Sequence, residues 1–351
     1  MIGSLIPAHR PLLILAPMQD VTDLPFWGVM RRYGGADLYY TEYFRVHNDS
    51  RPEREILRSI DENPTGRPVI AQMIGQDIPS LIRTAQALQR HPIIGIDLNL
   101  GCPAPIVCRK SAGGGLLKTP ERIDAILKAL RPVVGVALTV KTRIGYESPE
   151  EFDRLLEVFA ANEVDAFTVH GRTVREMYRT QVHLDRIRQA VERLDAPVFA
   201  NGNVLSVALA RETIGKTGAA GLMIGRGAIR NPWLFSQIRD AAEGKPVFEP
   251  TLRDLRAYIG VLYAETRIPH LNEATNLSKL KKYLNFIGQG IDPEFLHGAR
   301  RATSDREFFT LCDRYLDHDV PFPAEPPVRA LICTRSEAAP PPSAPANIVR
   351  G

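Results

Sequence analysis

The sequence predicts an α/β chain, a (β/α)8 TIM barrel followed by a small C-terminal helical domain, and three observations predict it. Short β-rich runs recur through the first two-thirds of the chain, each separated from the next by a segment long enough for a helix. That alternation is the pattern of a parallel sheet with crossover helices. Several of the runs are continuously apolar rather than alternating, as strands covered on both faces are. From about Lys245 the texture changes to apolar positions three and four apart with no strand-like run, which is helical periodicity.

In chain order the predicted strands are Leu12 to Met18, Asp37 to Phe44, Pro68 to Gly75, Gly95 to Gly101, Ala137 to Gly145, Ala166 to Arg172, Pro197 to Val204 and Gly221 to Ile229. Eight such units in about 230 residues make a closed barrel the natural architecture. In the fourth run Ile96, Leu98 and Leu100 suit a strand interior, Asp97 and Asn99 add polar groups, and Gly101 with Pro103 stops the strand at Cys102. Helices are expected over Leu252 to Ile268, Glu273 to Ile287 and Asp305 to Leu316. The linker Gly244-Lys245-Pro246 divides a barrel over 1–244 from a helical domain over 245–325. The remainder, 326–351, is rich in Pro and Ala and is expected to be a disordered tail.

At 351 residues, 44% hydrophobic and 24% charged, the chain has the composition of a soluble globular protein with a sizeable core. Its apolar runs, such as Pro11 to Met18 and Pro132 to Val140, are far shorter than a membrane span, and no basic segment with a signal-peptide core opens the chain. A cytoplasmic protein with no membrane partner is expected. Cys102, Cys108, Cys312 and Cys333 have no paired close spacing, which argues against a disulfide framework and against a zinc site, so no metal is expected. A net charge of +4 allows a polyanionic partner without demanding one.

In a (β/α)8 barrel the active site lies at the C-terminal ends of the strands. Those ends carry Ala16-Pro17-Met18, Glu42, Gln72, Asn99 and Cys102, then Lys141 and Arg143, His170 and Arg172, Asn201-Gly202-Asn203, and Gly225-Arg226-Gly227. Each alone has a mundane reading: a strand cap, a solvated charge, a core histidine, a turn. A cation, an imidazole, amides and a thiol converging on one mouth would be costly to bury without a polar ligand. The glycine turns at Gly202 and Gly225 to Gly227 expose backbone N–H groups suited to a phosphate, reinforced by Arg226. Gln72 and Lys141 suit the polar edge of a flavin ring, the lysine placing positive charge where a reduced flavin becomes anionic.

The motifs LAPMQDVTD (15–23), QMIG (72–75), DLNLGCP (97–103), TVKTRIG (139–145), VHGRT (169–173), ANGNV (200–204) and MIGRGAIRNPWLF (223–235) follow one another in that order. With them the chain resembles the tRNA-dihydrouridine synthases. Thr41 to Val46 and Leu280 to Leu284 look most like the bacterial subfamily acting on uridine 16. The resemblance implies that Ala16, Pro17, Met18, Gln72, Lys141, His170, Asn201, Gly202, Asn203, Gly225 and Arg226 hold FMN and that NADPH is the reductant. It implies that flavin N5 delivers hydride to C6 of a D-loop uridine while Cys102 protonates C5. Cys108, in the loop beyond the strand end, is the competing thiol and is ranked as incidental.

The implied partner is tRNA, bound by a monomer. Asn99, Arg143, Arg172 and Arg175 are candidates for contact with the target base or with tRNA phosphates, as are Arg109 and Lys110. In the helical domain the basic cluster is Lys279, Lys281 and Lys282, of which Lys279 and Lys282 share a helix face. The alternative enzyme reading is a small-molecule FMN-dependent dehydrogenase or reductase of the dihydroorotate or dihydropyrimidine dehydrogenase type, against which the helical domain argues.

Overall fold

The computed structural model describes residues 2–328 and 330. Most of the Pro- and Ala-rich tail, together with Cys333, lies outside the described residues. The strands are β1 (Leu12–Leu15), β2 (Leu38–Tyr40), β3 (Phe44–Arg45), β4 (Val69–Ile74), β5 (Gly95–Leu100), β6 (Ala137–Arg143), β7 (Ala166–His170), β8 (Val198–Asn201) and β9 (Gly221–Ile224). All pairings are parallel. β1 bonds to both β2 and β9, and β2 bonds to β4, so eight strands close a ring while the two-residue β3 lies beside the end of β4. The expected (β/α)8 barrel is therefore present.

Two strand expectations are corrected. The run expected as one strand from Asp37 to Phe44 is broken after Tyr40, because the Thr41 hydroxyl accepts from the backbone N–H of Gln72 (3.1 Å) where a ladder carbonyl would have done so. The last run, expected to reach Ile229, stops at Ile224: the chain turns at Gly225 and becomes the helix Arg226–Arg230. A Cβ at Gly227 would sit 2.2 Å from the Val204 carbonyl, so the turn can form only with glycine there.

Side chains of each strand alternate between two packing layers, as the period of two requires. Leu12, Ile14, Leu38, Tyr40, Ile70, Ala137, Ala166, Phe199 and Met223 form a plug inside the barrel, while Leu13, Leu15, Ala71, Ile96, Leu138, Phe167 and Leu222 pack outward under the helices. The plug closes the bottom of the barrel and leaves the next inward layer to polar groups.

The helices Leu252–Thr266, Glu273–Ile287 and Asp305–Leu316 form where periodicity placed them, and a further short helix, Pro293–Arg301, is capped by Asp292. The first of them opens on a capping box between Thr251 and Asp254. This helical region is tied to the barrel by specific bonds. Tyr283 donates to the Val21 carbonyl (2.9 Å) and stacks on Phe26, Lys279 pairs with Asp23 (2.8 Å), and Tyr258 donates to the Ile229 carbonyl (2.8 Å). The buried Arg230 donates to the carbonyls of Gln289 (3.2 Å) and Pro323 (2.8 Å), with its guanidinium over the Phe322 ring. Among the described residues no helix is long and apolar enough to cross a membrane.

Candidate active site at the barrel mouth

The inward phase that builds the plug also places the site. Two residues beyond Ile14, Ile70, Phe199 and Met223 stand Ala16, Gln72, Asn201 and Gly225, and the same spacing on β5, β6 and β7 gives Asn99, Lys141 and His170. Strand register sets these side by side: Gln72 opposite Asp97, Asn99 opposite Lys141, Arg143 opposite His170, and His170 opposite Asn201.

Over β6 to β9 and β1 they surround a cavity of about 260 Å³. Every residue expected to hold the cofactor lines it except Gln72. Its floor carries Lys141, whose ammonium donates to Asn201 Oδ1 (3.3 Å), while Asn201 Nδ2 donates to the Met223 carbonyl (2.7 Å). Its far wall is glycine. Gly202 has φ +130°, and a Cβ on Gly225 would crowd Met18 Sδ at 3.0 Å. Arg226 donates to Asn203 Oδ1 (3.1 Å), and Asn203 itself takes a left-handed φ of +50°. Burial, with Arg143 next in effect, pushes the Lys141 ammonium down to about 8. Burial and the surrounding Arg143, Lys141, Arg172 and Arg226 push His170 well below the usual imidazole range, so its ring is neutral. The cavity thus gathers a neutral imidazole, an ammonium and a guanidinium beside glycine backbone, an arrangement that favours an anion.

Over β4 and β5 lies a different structure. Asp97 is fully buried and accepts from Thr139 Oγ1 (2.7 Å) and Gln72 Nε2 (2.8 Å). Gln72 Oε1 accepts from Asn99 Nδ2 (2.8 Å), and Asn99 Oδ1 accepts the backbone N–H groups of Gly101 (3.0 Å) and Cys102 (2.9 Å). The Cys102 thiol therefore sits on a turn held from beneath, half-buried, beside the Tyr43 side chain. Burial raises the Tyr43 hydroxyl above its ordinary range, and charge on Cys102 adds to this. Glycines close the other side: Gly114 N donates to the Cys102 carbonyl (3.0 Å), and a Cβ on Gly113 would lie 3.1 Å from that of Cys102. Cys108 Sγ donates to the same carbonyl (3.5 Å), and burial raises its thiol.

Four of the residues expected to contact substrate have partners within the protein. Arg143 is buried and donates to the carbonyls of Gly101 (2.9 Å), Thr173 (2.8 Å) and Met177 (2.8 Å), joining the thiol turn to the next loop. Arg172 is buried beside His170 Nε2 (3.4 Å) and donates to the Thr180 carbonyl (2.8 Å). Asn99 spends its Oδ1 and one N–H of its amide as above, and Lys279 is ion-paired to Asp23. Arg175 and Lys282 are exposed, the former paired with Glu147 (2.7 Å). Lys281 donates to the Ala302 carbonyl (2.5 Å).

Sequence reasoning missed Tyr178 and Phe286, which also line the cavity. Tyr178 stands between Arg226 and Arg143, whose guanidinium carbons lie 4.6 and 5.2 Å from its ring centre. An aromatic residue a few positions after the VHGRT motif was its only signal. Phe286 had none, because an apolar residue on an amphipathic helix reads as core. Among the described residues no group of three or more His, Cys, Asp or Glu is arranged to hold a metal ion.

A closed parallel barrel with a cation- and glycine-lined cavity over its last strands and a thiol on the adjoining shelf is the frame of a barrel enzyme with its site at the strands' C-terminal ends. The chain belongs to the dihydrouridine synthase family, a family of flavin-dependent oxidoreductases, whose profile matches residues 14–291. It is 32% identical over 326 residues to the tRNA-dihydrouridine(16) synthase of Neisseria meningitidis serogroup A, covering 90% of this chain and 97% of that protein. It is 33% identical to the tRNA-dihydrouridine(16) synthase of Cupriavidus necator, covering 84% of this chain and 93% of that one. Among solved structures, a 2-naphthoyl-CoA reductase superposes with a TM-score of 0.51 at 14% identity over 67% of this chain; the match spans 50% of that larger chain and shows the barrel fold alone.

Proposed function

We propose that the protein reduces the C5=C6 bond of uridine 16 in the D-loop of tRNA, with FMN in the cradle and NADPH as reductant. The observation that carries this reading is the junction of an anion cradle and a supported thiol at one barrel mouth, in a chain of this family. The donor set suits FMN. Gly225, Gly227 and Arg226 offer backbone N–H groups and a guanidinium to a phosphate, and Lys141 places a cation beside the ligand body. When bound, the flavin supplies a hydride to C6 of the uracil.

Cys102 gives its thiol proton to C5 as the hydride adds, so the enolate charge is neutralised and the resulting thiolate is reprotonated from solvent. Lys141 stabilises negative charge developing on the ligand. The neutral His170 donates a hydrogen bond without adding another full charge, its Nε2 facing Arg172. The target base must leave the tRNA stack to reach this depth. The exposed cations Arg109, Lys110, Arg175 and Lys282 would meet phosphates, with the helical region over 245–325 as a second wall. The names of the two synthases above, and Thr41 to Val46, support position 16.

Incubating the protein with unmodified tRNA and NADPH, then mapping dihydrouridine by position, tests the reading. Dihydrouridine at position 16 is expected. No product at any D-loop uridine would overturn the activity, and product only elsewhere would overturn the position.

A further inference from the structure

We infer that Asp97 is a positioning residue for Cys102, acting through the side-chain amides of Gln72 and Asn99. The inference rests on Cys102 as the proton donor. Asp97 occupies the inward layer immediately above the apolar plug, where an aliphatic side chain would fill the space without the cost of burying a carboxylate. What the carboxylate adds is direction. A carboxylate can only accept hydrogen bonds, and a backbone N–H can only donate them.

Between these two ends lie two amides that could each be turned either way. Asp97 Oδ2 requires the NH2 of Gln72 (2.8 Å), which turns Gln72 Oε1 toward Asn99 Nδ2 (2.8 Å) and so turns Asn99 Oδ1 toward the N–H groups of Gly101 (3.0 Å) and Cys102 (2.9 Å). Flipping either amide would set donor against donor at one contact and acceptor against acceptor at another. The thiol turn is thus oriented from the barrel centre, and Asn99 Oδ1 has both acceptor positions in use. Only an N–H of Asn99 remains to offer a substrate, so it can meet a carbonyl oxygen of a pyrimidine and not its N–H.

The titratable groups facing Asp97 are Lys141 on β6 and Tyr40 on β2. Burial raises the Asp97 carboxyl to about 6, partly offset by its bonds from Thr139 and Gln72 and by Lys141. Protonation gives the carboxyl a donor and removes the forced direction.

The test is the rate of Cys102 alkylation by iodoacetamide, read by peptide mass spectrometry so that Cys108 is counted separately. It needs neither flavin nor tRNA. Asp97→Ala and Asn99→Ala should each loosen the turn and speed alkylation by about threefold or more, and the double variant should be no faster than the faster single one, since one chain is cut only once. Additive effects, or an unchanged rate in Asp97→Ala, overturn the inference. If Asp97→Ala does not fold, Asp97→Asn decides: like the protonated carboxyl it sets a donor beside its acceptor, so its alkylation at neutral pH should be faster than wild type, and the inflection that wild type should show near the Asp97 value of about 6 should vanish. An inflection retained in Asp97→Asn overturns the proposal. In the loaded enzyme, flavin reoxidation by tRNA should slow about tenfold in Asp97→Ala while flavin reduction is unchanged. Wild-type protein that makes no dihydrouridine would count against the proposed function, and the alkylation series would still decide the role of Asp97.

Discussion

Across the barrel mouth, the cradle over β6 to β9 and the thiol shelf over β4 and β5 differ in where their polar groups point. Cradle groups face a cavity: Lys141 donates to Asn201 at 3.3 Å, and burial, with Arg143 next in effect, pushes its ammonium down to about 8. Shelf groups face one another, with Asp97, Gln72, Asn99 and the Cys102 turn joined at 2.8 to 3.0 Å. The first arrangement stores binding capacity for a ligand, and the second spends its hydrogen bonds on geometry. Polar residues at neighbouring strand ends thus turn either toward an open cavity or toward the protein's own backbone, according to strand register.

The hardest test of that division removes the thiol. Cys102→Ala should lower tRNA reduction by about a hundredfold or more, with flavin binding and flavin reduction by NADPH retained in rapid-mixing absorbance traces. Equal loss of flavin reduction would break the separation of the two halves. A smaller effect is expected from the cradle side. Arg226→Met should weaken FMN affinity by about tenfold in a fluorescence titration and leave Cys102 alkylation as it was; a changed alkylation rate would show the halves to be coupled.

Titration sharpens the comparison further. The charged form of Lys141 favours an anionic ligand and is lost as pH rises through about 8, so FMN affinity should fall by a few fold above that pH. Lys141→Met should flatten the profile, and an affinity that holds steady in wild type would remove the lysine from the cradle's charge.

The smallest effect concerns Glu42, which follows β2 and accepts from the Asp20 backbone N–H. Burial raises its carboxyl from 4.5 to about 7. Between those values the unfolded chain releases a proton that the folded chain keeps, so this group makes stability fall as pH rises across the window. Glu42→Gln should show a shallower fall in Tm between the two values than wild type, and parallel curves would mean that the carboxyl is already ionised when folded.

Much of this was legible in the sequence, for reasons that are local. The β-rich runs and their spacing specified eight strands, and the glycines at 202, 225 and 227 marked the turns that a Cβ would block. Cys102 was visible because Gly101 and Pro103 stop a strand beside it. The helices Glu273–Ile287 and Asp305–Leu316 were visible because apolar spacing depends only on neighbours along the chain. The break after Tyr40 was not, since it depends on Thr41 meeting Gln72, a residue on another strand.

What the sequence by itself determined is which side chains share the inward phase of the barrel, because a strand's period of two needs no knowledge of its neighbours. What only the tertiary structure decided is the partner each polar group takes. Gln72 went to the shelf, Arg143 and Arg172 went beneath the loops, Lys279 went to Asp23, and Phe286 came from the helical region to wall the cavity. A hydrogen bond or ion pair forms only between groups brought to about 3 Å with the right orientation. That approach is set by strand register and helix docking, which no local stretch of sequence contains.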